Sequence, residues 1–192
     1  MTRCPRTAAL LPALLVACGG GDAPKRAPAA APSVARPAAA PAAPPAWTFS
    51  AAGLGARAVG DRVEDANRAL GGALGDPARF DPYCEFVPLA APAETALVMV
   101  TRGVVARVDV TTPGIRTGEG AGIGDTEDRL KALYKGRIKV LSDRRFNDGH
   151  LLVVVPAGEA ERRLVFETRN SKVTRVRAGR LPEVEWAPDR CD

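Results

Sequence analysis

Few residues in this chain are placed for chemistry. His150, in Asn147-Asp148-Gly149-His150-Leu151, is the only histidine in 192 residues, and it follows a turn at the start of a β-rich run. Nucleophilic catalysis would set a serine or cysteine motif beside such a base, a metal site would surround it with ligands, and glycoside hydrolysis would mark two carboxylates. None of these patterns accompanies His150, so it reads as structural or exposed. Gly53-Leu54-Gly55-Ala56-Arg57-Ala58 fits the loose dinucleotide pattern G-x-G-x-x-A, yet no strand ending in an acid follows about twenty residues later. That stretch and Gly118-Glu119-Gly120-Ala121-Gly122 read as flexible entries to helices. The sequence assigns no catalytic residue, no cofactor and no metal.

The four cysteines carry more information. Thr2-Arg3-Cys4-Pro5-Arg6 is a basic start and Ala8 to Ala17 an apolar run of ten residues, too short for the ~20 that a spanning helix needs. This is the layout of a secretory leader over residues 1–17. Leu15-Val16-Ala17-Cys18 resembles the bacterial lipobox, which implies that Cys18 is acylated and becomes the mature N-terminus, with more than one acyl chain giving stable anchoring to a membrane. Gly19 rather than aspartate follows the cysteine, so the expected location is the outer membrane of a Gram-negative envelope, facing the periplasm. Cys4 then leaves with the leader, and Cys84 and Cys191 remain as an even pair. In an oxidising compartment such a pair forms a disulfide. The alternatives are a free thiol or a metal site, against which stand the single histidine and the lack of any C-x-x-C.

Residues 18–46 comprise the lipidated cysteine and a tether that is almost entirely alanine and proline, with a contour of at most roughly 75 Å at ~3.1 Å per residue. The tether also distorts the charge balance. The whole chain has 27 Lys plus Arg against 22 Asp plus Glu, but without Arg3, Arg6, Lys25, Arg26, Arg36 and Asp22 the remainder holds 22 bases and 21 acids. Residues 47–192 are therefore nearly neutral, with no basic stripe or stacking aromatics, which argues against nucleic-acid binding.

Within 47–192 the chain repeats itself. Gly60-Asp61-Arg62-Val63-Glu64-Asp65-Ala66-Asn67-Arg68-Ala69-Leu70 aligns with Gly124-Asp125-Thr126-Glu127-Asp128-Arg129-Leu130-Lys131-Ala132-Leu133-Tyr134. Leu97 to Gly103 aligns with Leu164 to Asn170; after Ser171, taken as a one-residue insertion, Val104 to Val108 aligns with Lys172 to Val176. Repeat one covers about 53–117, repeat two about 118–180, and 181–192 is a C-terminal tail.

Each copy predicts one short amphipathic helix followed by a meander. Asp61 and Asp125 are the expected N-caps, and Val63, Ala66 and Leu70, or Leu130, Leu133 and Tyr134, recur at helical spacing. Strands are expected over Tyr83–Val87, Leu97–Thr101 and Val104–Val110, then Ile138–Leu141, Leu151–Val155, Leu164–Thr168 and Lys172–Ala178, with tight hairpins at Thr101-Arg102-Gly103 and Thr168-Arg169-Asn170-Ser171. The predicted fold class is α+β, with seven or eight antiparallel strands in one sheet and both helices packed on one face. Strict alternation sets Val104, Ala106, Val108 and Val110 on one side and Val105, Arg107 and Asp109 on the other. In the second copy Val173, Arg175 and Arg177 oppose Thr174, Val176 and Ala178. The open face is thus expected to carry Arg107, Asp109, Arg175 and Arg177, a candidate partner-binding patch flanked by Trp47 or Trp186, since Arg and Trp are enriched in interface hot spots.

Two tandem helix-plus-meander units, each opened by Gly-Asp, in a lipoprotein context resemble the β-lactamase-inhibitory proteins and the small SmpA/OmlA outer-membrane lipoproteins that assist barrel assembly. The resemblance covers residues 53 to about 180. It implies a scaffold or inhibitor that grips another envelope protein and does no chemistry. Each inhibitory-protein repeat opens with helix-loop-helix, whereas each copy here shows one helix, and the inhibitory contacts map onto no residue of this chain. The expectation is a lipid-anchored, non-catalytic protein that binds a protein partner. The alternatives are a small-ligand or glycan-binding lipoprotein, marked by a concavity with Trp47, Trp186 or Tyr83, and a periplasmic hydrolase.

Overall fold

Valine-rich runs with a period of two form the main sheet, because β-branched side chains pack well on a pleated surface. The computed structural model describes residues 48–55, 58–90 and 96–191, all within one compact unit spanning Ala43–Asp192. Cys18, the leader, the tether and Trp47 lie outside the described residues. A small sheet combines β1 (Thr48–Ser50), β2 (Gly53–Leu54) and β6 (Arg116–Thr117). The two helices are α1 (Val63–Ala69) and α2 (Glu127–Leu133). The large sheet is built from β3 (Cys84–Pro88), β4 (Ala96–Thr101), β5 (Val104–Val110), β7 (Ile138–Ser142), β8 (Gly149–Val154), β9 (Arg162–Arg169) and β10 (Lys172–Arg180). Its order is β3-β4-β5-β10-β9-β8-β7 and every pairing is antiparallel. The chain is α+β, as its sequence predicts.

Two hairpins of equal length organise this sheet. Thr101 pairs with Val104 across Arg102-Gly103, and Arg169 with Lys172 across Asn170-Ser171. All four loop residues have positive φ, between 48° and 72°, as two-residue primed turns of the I′ kind require. Ser171 is therefore not an insertion: it occupies the place of Gly103, and one shift of register carries Val98 onto Phe166 and Val100 onto Thr168. The sequence alignment had set Val98 against Val165, which lies in a different apolar cluster.

A second correction follows from two bulges. Val100 pairs with Val105 and Met99 with Arg107, stepping over Ala106; Thr168 pairs with Val173 and Glu167 with Arg175, stepping over Thr174. Each extra residue reverses the alternation. Val105 and Val173, expected beside the arginines, instead join the core with Val108, Val110 and Val176.

The helix starts also differ from expectation. Asp61 and Asp125 are not the N-caps; Arg62 and Thr126 are, and only Thr126 caps with its side chain, accepting from the Arg129 amide. The aspartates are held instead by backbone hydrogen bonds to the sheet. The Asp61 carbonyl accepts from the Val105 amide at 3.0 Å while Gly60 N–H donates to the Val105 carbonyl at 2.8 Å, and Asp125, Gly124 and Val173 repeat the arrangement at 2.9 Å each. Val63 N–H reaches Gly103 O and Glu127 N–H reaches Ser171 O, so each helix start is clamped to a hairpin. One core cluster unites Val63 and Ala66 of α1 and Leu130 of α2 with Tyr134, Val98, Val105, Leu152, Phe166 and Val176. The sheet face carrying these residues is the core face, and the opposite one is called the outer face.

Candidate functional site

The outer face is not open where the arginines stand. After β10 the chain turns back through a single 3-10 turn, Glu183–Glu185, and residues 181–191 cross the sheet as a strap. Cys191 closes it onto Cys84 of β3, with the two Cα atoms 5.9 Å apart and a sequence separation of 107. This is the disulfide expected from the cysteine arithmetic. Val184 packs under the strap with Val153, Val165, Leu151 and Leu181 as a second apolar cluster.

Arg107 is the strap's main anchor. Its Nη1 donates to the carbonyls of Glu183 (2.9 Å) and Trp186 (3.2 Å), its Nη2 to Pro188 O (3.0 Å) and its Nε to Asp109 (2.8 Å). The guanidinium also lies 5.1 Å from the centre of the Phe86 ring. Arg177 donates to Trp186 O as well, and its Nη2 lies 2.9 Å from Glu167 as an ion pair. The Glu183 side chain accepts from Arg180 (2.8 Å) and Thr101 (3.2 Å). Gly179, opposite Arg107 in the ladder, must be glycine: a Cβ would stand 2.8 Å from Ala106 O and 3.0 Å from the Val184 Cβ.

The structure thus brings Arg107, Asp109, Arg175 and Arg177 together, but it does not present them to a partner. Arg107 is 0% exposed, and Asp109 and Arg177 are also buried. Only the Arg175 side chain keeps 26% of its surface, with Asp109 at 3.9 Å and Glu167 at 4.0 Å. The expectation of a wet face is corrected here because a tail that sequence patterning left without a role supplies three backbone carbonyls in place of water. Burial pushes the Asp109 carboxyl up despite its arginine neighbours, and burial lowers the Arg177 guanidinium despite Glu167. Further along, Arg145 bridges Asp143 (2.7 Å) and Glu167 (2.9 Å). Hydrogen bonding from Arg145 outweighs burial and holds the Asp143 carboxyl below its ordinary value.

Sequence reasoning missed Glu183, Glu167 and Arg145, which complete this ionic layer. The first lies in the tail, and the others pair only through the register of β9. It also missed the partner of His150. The imidazole Nδ1 lies 2.8 Å from Glu127 Oε1, an oxygen that also accepts from Thr168 Oγ1 at 2.7 Å. Burial raises the Glu127 carboxyl, but hydrogen bonds from Thr168 and His150 more than offset it, leaving the group below its ordinary value. The threonine hydroxyl is aligned on the carboxylate rather than on the imidazole, so the three form a structural clasp between α2, β8 and β9.

Two other surfaces stand out. Among the described residues, the outer edge of β7 has no neighbouring strand, and Val140 and Leu141 on it are 44% and 50% exposed. Val155 and Phe146, just after β8 and in the β7–β8 loop, are exposed too. Separately, a groove of 660 Å³ runs beside the strap and is walled by Tyr83, Trp186, Glu183, Arg180, Arg102 and the disulfide. Among the described residues, no group of three or more His, Cys, Asp or Glu could hold a metal ion, and no helix is long and apolar enough to cross a membrane. Comparison with protein families, with curated proteins and with solved structures finds no match to this chain.

Proposed function

We propose that this chain is a lipid-anchored, non-catalytic protein of the Gram-negative envelope that binds a protein partner by accepting a strand at the free edge of β7. One observation carries the reading. Of the five large hydrophobic side chains exposed among the described residues, four (Val140, Leu141, Phe146 and Val155) belong to β7, the β7–β8 loop or the position just after β8. Exposed apolar clusters mark interaction sites, and an unpaired sheet edge offers backbone groups to an extended segment. Val140 and Leu141 project to opposite faces, so the matching segment carries apolar residues on both sides. The strap-bound arginines serve rigidity, while the Arg175 and Arg145 side chains of that layer keep about a quarter to a third of their surface.

The same reading takes the fold as one duplicated helix-and-meander unit with both helices on the core face, resembling the β-lactamase-inhibitory and SmpA/OmlA proteins. It is supported by the matching clamps at Asp61 and Asp125, the paired primed turns and the paired bulges. The repeats and the lipid anchor at Cys18 are part of the proposal.

Photocrosslinking in cells tests it: a crosslinker placed at Val140 should yield a discrete protein adduct, and Leu141→Lys in the same chain should remove it without changing thermal stability. No adduct, or one indifferent to Leu141→Lys, would count against strand addition. Labelling with a palmitate analogue should fail in Cys18→Ser.

A further inference from the structure

We infer that the groove between the strap and the start of β3 is a binding site for a saccharide, a neutral polyhydroxylated ligand with one flat apolar face. The site is separate from the β7 edge and does not depend on its having a partner. Its volume, 660 Å³, lies inside the range of about 300–1,000 Å³ usual for small-molecule sites.

The wall chemistry selects the class. Tyr83 is 78% exposed, the highest exposure of any large hydrophobic side chain among the described residues, although its backbone is fixed, with its N–H donating to Asp81 Oδ1 at 2.8 Å. A ring that stands at the rim of a concavity and is left uncovered by the fold can serve as a stacking platform, and Trp186 offers a second aromatic surface from the strap. The groove is lined by two bases, Arg102 and Arg180, and two acids, Asp81 and Glu183, with Arg180 paired to Glu183 at 2.8 Å. A phosphate or carboxylate would face two acids, and a cation would face two guanidinium groups. A neutral ligand with many hydroxyls meets donors and acceptors of both kinds. Arg102 is placed to supply such donors. It occupies the first position of the tight hairpin turn, where its φ of 50° fixes the backbone and its side chain is exposed.

The site is also built by the disulfide. Cys84 and Cys191 form part of its wall, and Trp186 and Glu183 sit on the strap that the bond closes. Binding should therefore require the oxidised chain.

The test uses the full oxidised chain and NMR titration at millimolar concentration with chitotriose, cellotriose and maltotriose. At least one should give saturable shifts confined to residues near Tyr83, Arg102 and Trp186. Tyr83→Ala should weaken that binding by about tenfold or more while the rest of the spectrum and the melting temperature stay unchanged, and reduction of the disulfide should weaken it as well. Failure of all three sugars to bind, or binding insensitive to Tyr83→Ala, would overturn the assignment. Shifts centred on Leu141 instead would also overturn it and would leave the β7 proposal standing.

Discussion

Arg107 in β5 and Arg175 in β10 stand at corresponding places, each immediately after a bulge and each directed to the outer face. Their surroundings differ. Arg107 donates to three strap carbonyls and to Asp109 in a site sealed from solvent, whereas Arg175 lies 3.9–4.0 Å from two carboxylates and keeps a quarter of its surface. Across the ladder, Met99 faces Arg107 and Glu167 faces Arg175. One β-arginine position thus serves as the fastening of a covalently closed strap in the first half and as a semi-exposed ionic group in the second. Charge on a strand says little about its role until the segment that crosses it is known.

The contrast is broken most severely at Arg107 itself. Arg107→Ala leaves Asp109 buried without its closest partner and frees three carbonyls, and should cost on the order of 3–5 kcal/mol, while Arg175→Ala should cost about 1 kcal/mol or less. Urea denaturation of the two variants measures the difference. Equal losses would mean that the halves are energetically alike.

Removing the covalent closure comes next. The Cys84→Ser, Cys191→Ser double variant should lose about 2–5 kcal/mol, as expected for a native bridge closing a long loop. Hydrogen exchange should then rise in residues 181–191 and in β5 more than in β8. Gly179→Ala is smaller, about 1–3 kcal/mol of overpacking, and should loosen the strap while leaving the β7 edge unchanged.

The pH response sharpens the second half. Asp143 and Glu127 are held below their ordinary carboxylate values, so their contribution to stability is fully present above about pH 5 and is lost as pH falls through the depressed folded-state values. Asp143→Asn should lower stability at neutral pH and flatten the acid limb of the stability profile; an unchanged acid limb would show that the Arg145 clasp contributes nothing.

Much of the architecture was legible because it is local. Alternating valines and the turn residues around Gly103 and Asn170 mark strands and hairpins from neighbouring residues, and the pairing of Cys84 with Cys191 follows from counting. The equal two-residue loops were not legible, because a serine, Ser171, takes the place of Gly103. The bulges at Ala106 and Thr174 were not legible, since nothing in either residue distinguishes a bulge from regular strand. Asp61 and Asp125 looked like N-caps by type, but the clamp onto Val105 and Val173 depends on contacts made far along the chain. The four outer-face residues were identified and correctly placed together. Their burial was missed because the Pro-, Trp- and Glu-containing tail has no periodicity that would announce a covering strap.

Arginine-selective labelling of the native oxidised protein with phenylglyoxal, read by mass spectrometry, tests the sealed outer face most directly. Arg102 and Arg175 should react while Arg107 and Arg177 stay unmodified until the chain unfolds. Labelling of Arg107 at the rate of Arg102 in the folded protein would contradict the account.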